Sequence, residues 1–353
     1  MNSFGRIFRL SIFGESHGES VGIVMDGCPA GMPLTLDDFL PDLERRKGGV
    51  QKGTTPRKED DIPFFKSGLF NDKTTGAPLT ILFENNNVRP ADYERQRDIP
   101  RPGHADFVAR KKFAGFEDYR GSGHFSGRLT VALVAAGVVA KKILGLANTS
   151  PQAPPKREPE GDVIKKITIT SSILEIGGES DLEKGLQKAI DAKDSVGGII
   201  ECRVTGLPIG LGEPFFDSAE SLLSHIVFAI PAVGGIEFGT GFSAAGMFGS
   251  KHNDAIENVE GKTTTNHAGG IVGGLTNGNE LVFRIAIKPT SSTPKEQNTL
   301  NWETEKVEKV SVKGRHDLCI ALRVPVILEA VTAIVLADLM MLEQYIPRVI
   351  PQD

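Results

Sequence analysis

The stretch Leu129-Thr130-Val131-Ala132-Leu133-Val134-Ala135-Ala136-Gly137-Val138-Val139-Ala140-Lys141-Lys142-Ile143-Leu144 carries no charge until Lys141. It predicts a helix that is apolar on every side, and such a helix must be buried around most of its circumference. Lys141 and Lys142 suit the negative end of the helix dipole, and Gly145 is placed to terminate it. Pro325–Met341 has the same character, with Pro325 in the first turn, where helices tolerate it. The longest apolar stretch, Val324–Leu342, is interrupted by Pro325, Glu329 and Asp338, which favours a core helix over a membrane span.

Around these helices lie segments rich in β-branched and aromatic residues. Ile7–Phe13, Ser20–Met25 and Leu79–Phe83 precede the first helix, and Val163–Ile173, Gly198–Thr205 and Leu281–Lys288 follow it; all read as strands. Thr35 and Asp38 form a capping-box pattern that opens a helix running to about Arg46 and stopped by Gly48 and Gly49. Ser218–Ile230 is a further helix, capped by Asp217 or Ser218. Gln51–Asp61 and Asn85–Gly103 read as loops, and Ser150–Asp162 as an exposed connection rich in Pro and charge. Each apolar helix follows a Gly/Arg/His segment, Tyr119–Arg128 in one case and Lys313–Asp317 in the other. The pattern predicts an α+β protein: a layered β-α-β sandwich with pseudo-duplicated halves and buried central helices. No linker splits the core, so a single domain over residues 1–353 is expected.

The chain has 353 residues, 39% of them hydrophobic and 24% charged, which is ordinary for a globular protein. A net charge of −5 gives no global basic field for nucleic acid, so anion binding must come from local Arg and Lys clusters. Three Cys without a C-x-x-C pair argue against a disulfide framework and a structural zinc site, and for a reducing compartment. With no signal peptide recognised at the N-terminus, a cytoplasmic location is expected.

Only seven His are present, and three sit in segments of Gly, Pro and charge that make poor core: Gly14-Glu15-Ser16-His17-Gly18, Arg101-Pro102-Gly103-His104-Ala105-Asp106 and Gly314-Arg315-His316-Asp317. Imidazole and carboxylate groups there can move or share a proton. The first segment also matches G-x-S-x-G, but a strand rather than a helix follows it, which removes the context of a hydrolase nucleophile. Tyr119–Arg128 offers a Gly-rich backbone, hydroxyls and Arg just before a helix, and taken alone reads either as an anion site or as a plain loop. Arg101, Arg128 and Arg315 flank these motifs, and guanidinium reads carboxylate and phosphate through a two-pronged fork. Lys288-Pro289-Thr290-Ser291-Ser292-Thr293-Pro294 could hold a phosphate or be an ordinary turn, and Gly269–Gly274 lets a ligand approach the backbone. His225 and His252 read as ordinary structural or surface His, and His267 is left open. No set of close-spaced ligands for a metal is present.

Taken in order with Asn266-His267-Ala268-Gly269-Gly270, these segments resemble the chorismate synthase family along nearly the whole chain. The resemblance implies conversion of 5-enolpyruvylshikimate 3-phosphate to chorismate by 1,4-elimination of phosphate, with reduced FMN required and no net redox change. It implies His17 as acid near the departing phosphate, and His104 as proton or hydrogen-bond partner of the flavin's pyrimidine edge. Asp317 with Ser16 would manage the proton at flavin N5. Flavin contacts fall on His124, Phe125, Ser126, Pro231, Ala232, Gly273, Lys288, Pro289, Thr290, Ser291, Ser292 and Arg315. Arg46 and Lys52 match the family's reduced-nicotinamide positions, and Arg101 and Arg128 are expected to meet the substrate. Reduced FMN (FMNH2) is the implied cofactor, NADPH a candidate reductant, an external flavin reductase an expected partner, and a homotetramer the expected assembly. The family's usual Arg-Ser-Ser-Ala-Arg run is His124-Phe125-Ser126-Gly127-Arg128 here, and Lys52 replaces a usual Arg. Two other classes stand beside this one: a flavin-independent enzyme acting on another phosphorylated carboxylic acid, and a non-catalytic flavin or nucleotide binding module.

Overall fold

The computed structural model describes residues 2–49, 52–55, 59–88, 93, 97–147, 165–312 and 316–350. Among them, an antiparallel sheet is built from β1 (Ser3–Phe4), β2 (Arg9–Gly14), β3 (Ser20–Asp26), β4 (Phe64–Ser67) and β5 (Leu79–Glu84), in the spatial order β1-β2-β3-β5-β4. A second antiparallel sheet holds β6 (Thr168–Ile176), β7 (Gly198–Thr205), β8 (Val233–Phe238) and β9 (Leu281–Ile287), in the order β8-β9-β7-β6. Strand alternation sets which face is buried. In β3 and β5, Val21, Ile23 and Met25 pair with Phe83, Ile81 and Leu79, and all six are fully buried. In the second sheet Ile200, Cys202 and Val204 pair with Ile285, Phe283 and Leu281 on the inner face.

Between the sheets lie α1 (Leu40–Arg46), α3 (Thr130–Leu144), α5 (Ala219–Val227) and α6 (Val324–Leu342), while α2 (Asp106–Lys112) and α4 (Leu182–Ala192) lie elsewhere in the chain. α3 packs on the first sheet, α6 on the second, and the two helices on each other. Their approach is close: a Cβ on Gly137 would stand 2.2 Å from the Cβ of Ala330 and 2.4 Å from its Cα. Glycine is required there for space. Each half thus repeats one unit, antiparallel strands under an apolar helix, and one continuous hydrophobic cluster joins both. The apolar segment Ile320–Leu342 is long enough to cross a membrane, but most of it is buried inside the protein as a core helix.

Two carboxylates inside α6 tie distant segments to it. Asp338 accepts backbone N–H bonds from Arg6 (2.8 Å), Ile7 (2.7 Å) and Phe8 (2.8 Å). Glu329 takes both prongs of Arg45 at 2.7 Å and the Ser171 N–H at 3.2 Å. The three cysteines are free and buried, and burial pushes the Cys28 and Cys202 thiols up to about 12.

The structure refines several boundaries. The strand expected from Ile7 begins at Arg9, because the N–H groups of Ile7 and Phe8 serve Asp338. The helix expected from Thr35 is a short 3-10 turn, Leu36–Asp38, followed by α1. Pro41, in the first turn of α1, has no N–H and blocks a continuous ladder through Phe39. The Asp38 carboxylate accepts from the Thr35 N–H at 2.8 Å, as the capping box requires. The strand expected over Val163–Ile173 runs Thr168–Ile176, and the connection Ser150–Asp162 lies outside the described residues. β4, β8, α2, α4 and the hairpin of β10 (Gln297–Asn301) and β11 (Lys306–Val310) were not expected from the sequence, although α4 has an N-cap at Asp181 and an apolar face with Leu182, Leu186 and Ala189.

Candidate active site

A cavity of about 630 Å³ opens where the N-terminal ends of α3 and α6 meet Arg46–Gly48, Thr55, Glu59, Asp61 and the loops around residues 101–105 and 288–292. Both helix ends favour negative charge in that space. Its wall is divided in character. Leu10, Ile12, Leu133, Ile226 and Ile327 make one part apolar. Arg46, Lys47, Arg101, Arg128, Lys288 and Arg323 make the other cationic, against the carboxylates Glu59, Asp61 and Asp317.

The cations are held rigidly. Arg46 and Arg128 both bind the carboxylate of Asp61, whose side chain is fully buried. Burial alone would raise the Asp61 carboxyl, but the two guanidinium groups overcome it and hold the carboxyl below its usual value. Burial lowers Arg128 and, likewise, Arg323. Arg128 also donates through Nε to Asn85 Oδ1 at 2.9 Å and through Nη2 to the Glu84 carbonyl at 3.1 Å. Arg323 donates Nε to the Arg46 carbonyl (2.9 Å) and Nη1 to Asp317 Oδ2 (3.1 Å). Asp317 Oδ1 accepts the Thr55 N–H at 2.8 Å, so this carboxylate is fixed at the cavity edge from both sides.

His104 stands in a second cluster. Its Nδ1 lies 2.6 Å from Asp106 Oδ1 and 3.1 Å from Arg101 Nη2. Arg can only donate and the carboxylate only accepts, so a proton on Nδ1 is directed to Asp106. Arg101 grips the same carboxylate, Nε on Oδ2 and Nη2 on Oδ1, both at 2.8 Å. Against the opposing effect of burial, these bonds hold the Asp106 carboxyl far below its usual value. Arg101 reaches on to Ser292 Oγ (3.1 Å) and Ser122 Oγ (2.9 Å). The hydroxyl-rich segment is stapled to this loop: Lys288 Nζ and Ser291 Oγ both donate to the Gly103 carbonyl, at 2.6 and 2.7 Å. His124 donates Nδ1–H to the Gly14 carbonyl at 2.8 Å.

The structure therefore brings together His104, Asp317, Arg46, Arg101, Arg128, His124, Phe125, Ser126, Pro231, Ala232, Lys288, Pro289, Thr290, Ser291 and Ser292 around one cavity. Ser16 and His17 lie behind its wall. Both are buried, and His17 stands so close to Gly121 that a Cβ there would fall 2.0 Å from Nδ1. Tyr93, which does line the cavity, packs edge-on against the His17 ring at 4.9 Å. Lys52 is outside, donating to Gln187 Oε1 at 3.1 Å on the surface. Gly273 is also outside, in the tight turn between Ile271–Val272 and Leu275–Thr276. Arg315 lies outside the described residues.

Sequence reasoning missed the buried carboxylate of Asp61, the pairing of Asp106 and the cavity positions of Arg323 and His225. His225, expected to be an ordinary structural or surface His, lines the cavity with its ring edge-on to Phe4 at 5.2 Å. For Asp106, the motif Arg101-Pro102-Gly103-His104-Ala105-Asp106 held the signal, because a carboxylate two residues after a His can hold its ring.

A layered α+β sandwich with an anion-binding cavity carrying fixed His and Asp groups defines an enzyme for a small anionic substrate. Comparison with known proteins gives the family. The family model described as chorismate synthase matches residues 8–341. A chorismate synthase of Chitinophaga pinensis is 66% identical over 349 residues, covering 99% of each chain. Chorismate synthases of Dehalococcoides mccartyi (42% identical, covering 99% of this chain and 100% of the relative) and Methanocaldococcus jannaschii (40%, 96% of each) are also similar. A solved chorismate synthase crystal structure shares the fold, with a TM-score of 0.68 and 23% identity over 96% of this chain and 93% of that one. The chain belongs to the chorismate synthase family of carbon–oxygen lyases.

Proposed function

We propose that this chain converts 5-enolpyruvylshikimate 3-phosphate to chorismate by 1,4-elimination of phosphate, with reduced FMN bound and no net redox change. The observation that carries the proposal is the union, in one cavity, of four buried or half-buried guanidinium groups, the His104–Asp106 pair and an apolar wall. The residues fit a flavin phosphate and ring. Thr290 Oγ1 and Arg46 Nε are buried polar atoms without a hydrogen-bond partner among the described residues, and both residues line the cavity. A polar atom buried that way is ready for a polar ligand. The apolar wall suits a planar ring.

When bound, reduced FMN supplies the electron density that a redox-neutral elimination draws on and returns. The protein's own work is placement and protons. Arg46, Arg101, Arg128 and Arg323 neutralise the substrate's phosphate and carboxylates in a space partly shielded from water, where such contacts are strong. His104, its ring held by Asp106, would protonate or hydrogen-bond the flavin at its pyrimidine edge. Asp317, pinned by Thr55 and Arg323, would manage the proton at flavin N5 together with Ser16. His17 acts from the wall beside Gly121 as acid for the departing phosphate. Lys288, Thr290, Ser291 and Ser292, with His124, Phe125, Ser126, Pro231 and Ala232, bind the cofactor.

Lys52 is engaged with Gln187 away from the cavity, which supports an external reductase as the source of reduced flavin. Phe215, Phe216, Phe242, Phe248 and Val259 are each more than four-fifths exposed, which supports self-association as a homotetramer. The location proposed is cytoplasmic.

An anaerobic assay tests the function. Chorismate should form when reduced FMN and substrate are both present and with neither alone, while the flavin stays reduced. Chorismate formation without FMN supports the flavin-independent reading, and no product under any condition removes the proposal.

A further inference from the structure

Asn85 follows the last residue of β5 and does not line the cavity, yet its side chain joins two segments that serve it. Nδ2 donates to the carbonyls of Glu15 (3.0 Å) and Gly18 (2.9 Å), the residues on either side of Ser16 and His17. Oδ1 accepts the Nε–H of Arg128 at 2.9 Å. The partners dictate the orientation of the amide. Carbonyls only accept and guanidinium only donates, so nitrogen faces the loop and oxygen faces the arginine. The Asn85 backbone N–H donates to the Glu19 carbonyl at 3.1 Å and extends the β3–β5 ladder by one step.

The loop between β2 and β3 carries His17 near its centre. The Ser16 N–H donates to the Gly123 carbonyl (3.0 Å), and the Gly18 N–H closes a turn on the Glu15 carbonyl (3.1 Å). Asn85 grips both ends of that turn. On Arg128, Nη1 binds Asp61, Nη2 the Glu84 carbonyl and Nε Asn85. Three of its five N–H groups are thus engaged among the described residues, which fixes the guanidinium plane and leaves two for an anion.

We infer that Asn85 is a positioning residue for departure of the phosphate: its amide sets the His17 loop against the Arg128 guanidinium, so that acid and cation address one leaving group. The inference rests on the proposed roles of His17 and Arg128. Groups that act together on one atom must be held in register, and a misplacement of about 1 Å can cost about a hundredfold in rate. Aspartate has the shape of asparagine and still accepts from Arg128, but it has no N–H to give and sets negative charge against two carbonyl oxygens. Alanine removes all three side-chain bonds.

The test compares Asn85→Asp and Asn85→Ala with the parent. In the ligand-free protein, hydrogen exchange at the Ser16 and Gly18 amides should speed up about tenfold or more in both variants, with the ladder amides of β3 and β5 unchanged. In the anaerobic assay both variants should lower kcat by about tenfold to a hundredfold. In a His17→Ala background, Asn85→Ala should lower kcat by less than about threefold further, because no acid remains to be placed. Parent-like exchange at Ser16 and Gly18, or parent-like turnover in Asn85→Asp, overturns the inference. So does a loss of kcat that is as large without His17 as with it, or exchange that speeds equally in β3 and β5, since either marks a merely structural role. If the loop amides respond as expected but the parent makes no chorismate, Asn85 still holds the loop and the proposed reaction fails.

Discussion

Replacing Asp61 by Asn removes the carboxylate that Arg46 and Arg128 share. The side chains of both cations are 3% exposed and that of Asp61 is 0% exposed, so solvent cannot take over its role. Removing one partner from a buried ion cluster costs about 3–5 kcal/mol, because the remaining charge is left uncompensated. With an unfolding entropy of about 2.1 cal/mol/K per residue, this corresponds to a fall in Tm of roughly 4–7 °C for a chain of 353 residues. The pH dependence has a definite sign. The folded Asp61 carboxyl is held below its usual value, so its contribution is complete above about pH 4, near the unfolded Asp value, and is lost as pH falls through the lower folded value. The gap in Tm between parent and variant should be constant near neutrality and narrow below about pH 4. Inorganic phosphate should raise the variant's Tm more than the parent's, by occupying the space between two unpaired guanidinium groups. Asp118→Asn is the control, since its partner Arg120 is 40% exposed and the pair is worth about 1 kcal/mol or less. Thermal unfolding followed by circular dichroism across pH reads all of this. A Tm for Asp61→Asn within about 1 °C of the parent at neutral pH, or a gap that does not close in acid, refutes the reasoning.

Gly137→Ala forces a methyl group into the contact with Ala330 and should destabilise by about 1–3 kcal/mol, read by urea unfolding. Asp338→Ala strands the N–H groups of Arg6, Ile7 and Phe8 and should cost at least about 3 kcal/mol, with hydrogen exchange at those amides accelerated more than in β7. His104→Ala and Asp317→Ala should each lower turnover by about a hundredfold or more while weakening substrate binding far less, measured by steady-state kinetics and equilibrium titration. Gly121→Ala places a methyl group against the His17 ring at a φ of +56° and should lower activity more than it lowers Tm.

The layers of the fold were legible because they rest on one-dimensional patterns. An uncharged run over Leu129–Ala140 and its counterpart in α6 have nowhere to go but between two covering surfaces. Runs rich in β-branched and aromatic residues announced β3, β5, β7 and β9 as the strands that supply those surfaces. β8 stayed hidden because Gly234 and Gly235 sit at its bulge and erase the alternation. At the site, His104, Arg101 and the 288–292 segment were legible from composition, since Gly, Pro and charge together make poor core. Asp61 was not, because its importance comes from two cations that reach it from positions 46 and 128. The placement of His17 behind Gly121 was equally invisible, since local sequence does not say which side of a wall a side chain occupies. His225 looked like a helix-surface residue and is exposed, but the face it lies on lines the cavity.

A crystal structure of the protein with oxidised FMN and 5-enolpyruvylshikimate 3-phosphate tests the central claim most directly. The account predicts both molecules in the cavity at the ends of α3 and α6. The flavin ring should lie on Leu10, Leu133 and Ile327 with its pyrimidine edge in hydrogen-bond reach of His104, and the substrate's anionic groups should meet Arg46, Arg101 and Arg128. Ligands bound elsewhere, or a cavity that admits the substrate with no flavin beside His104, would contradict it.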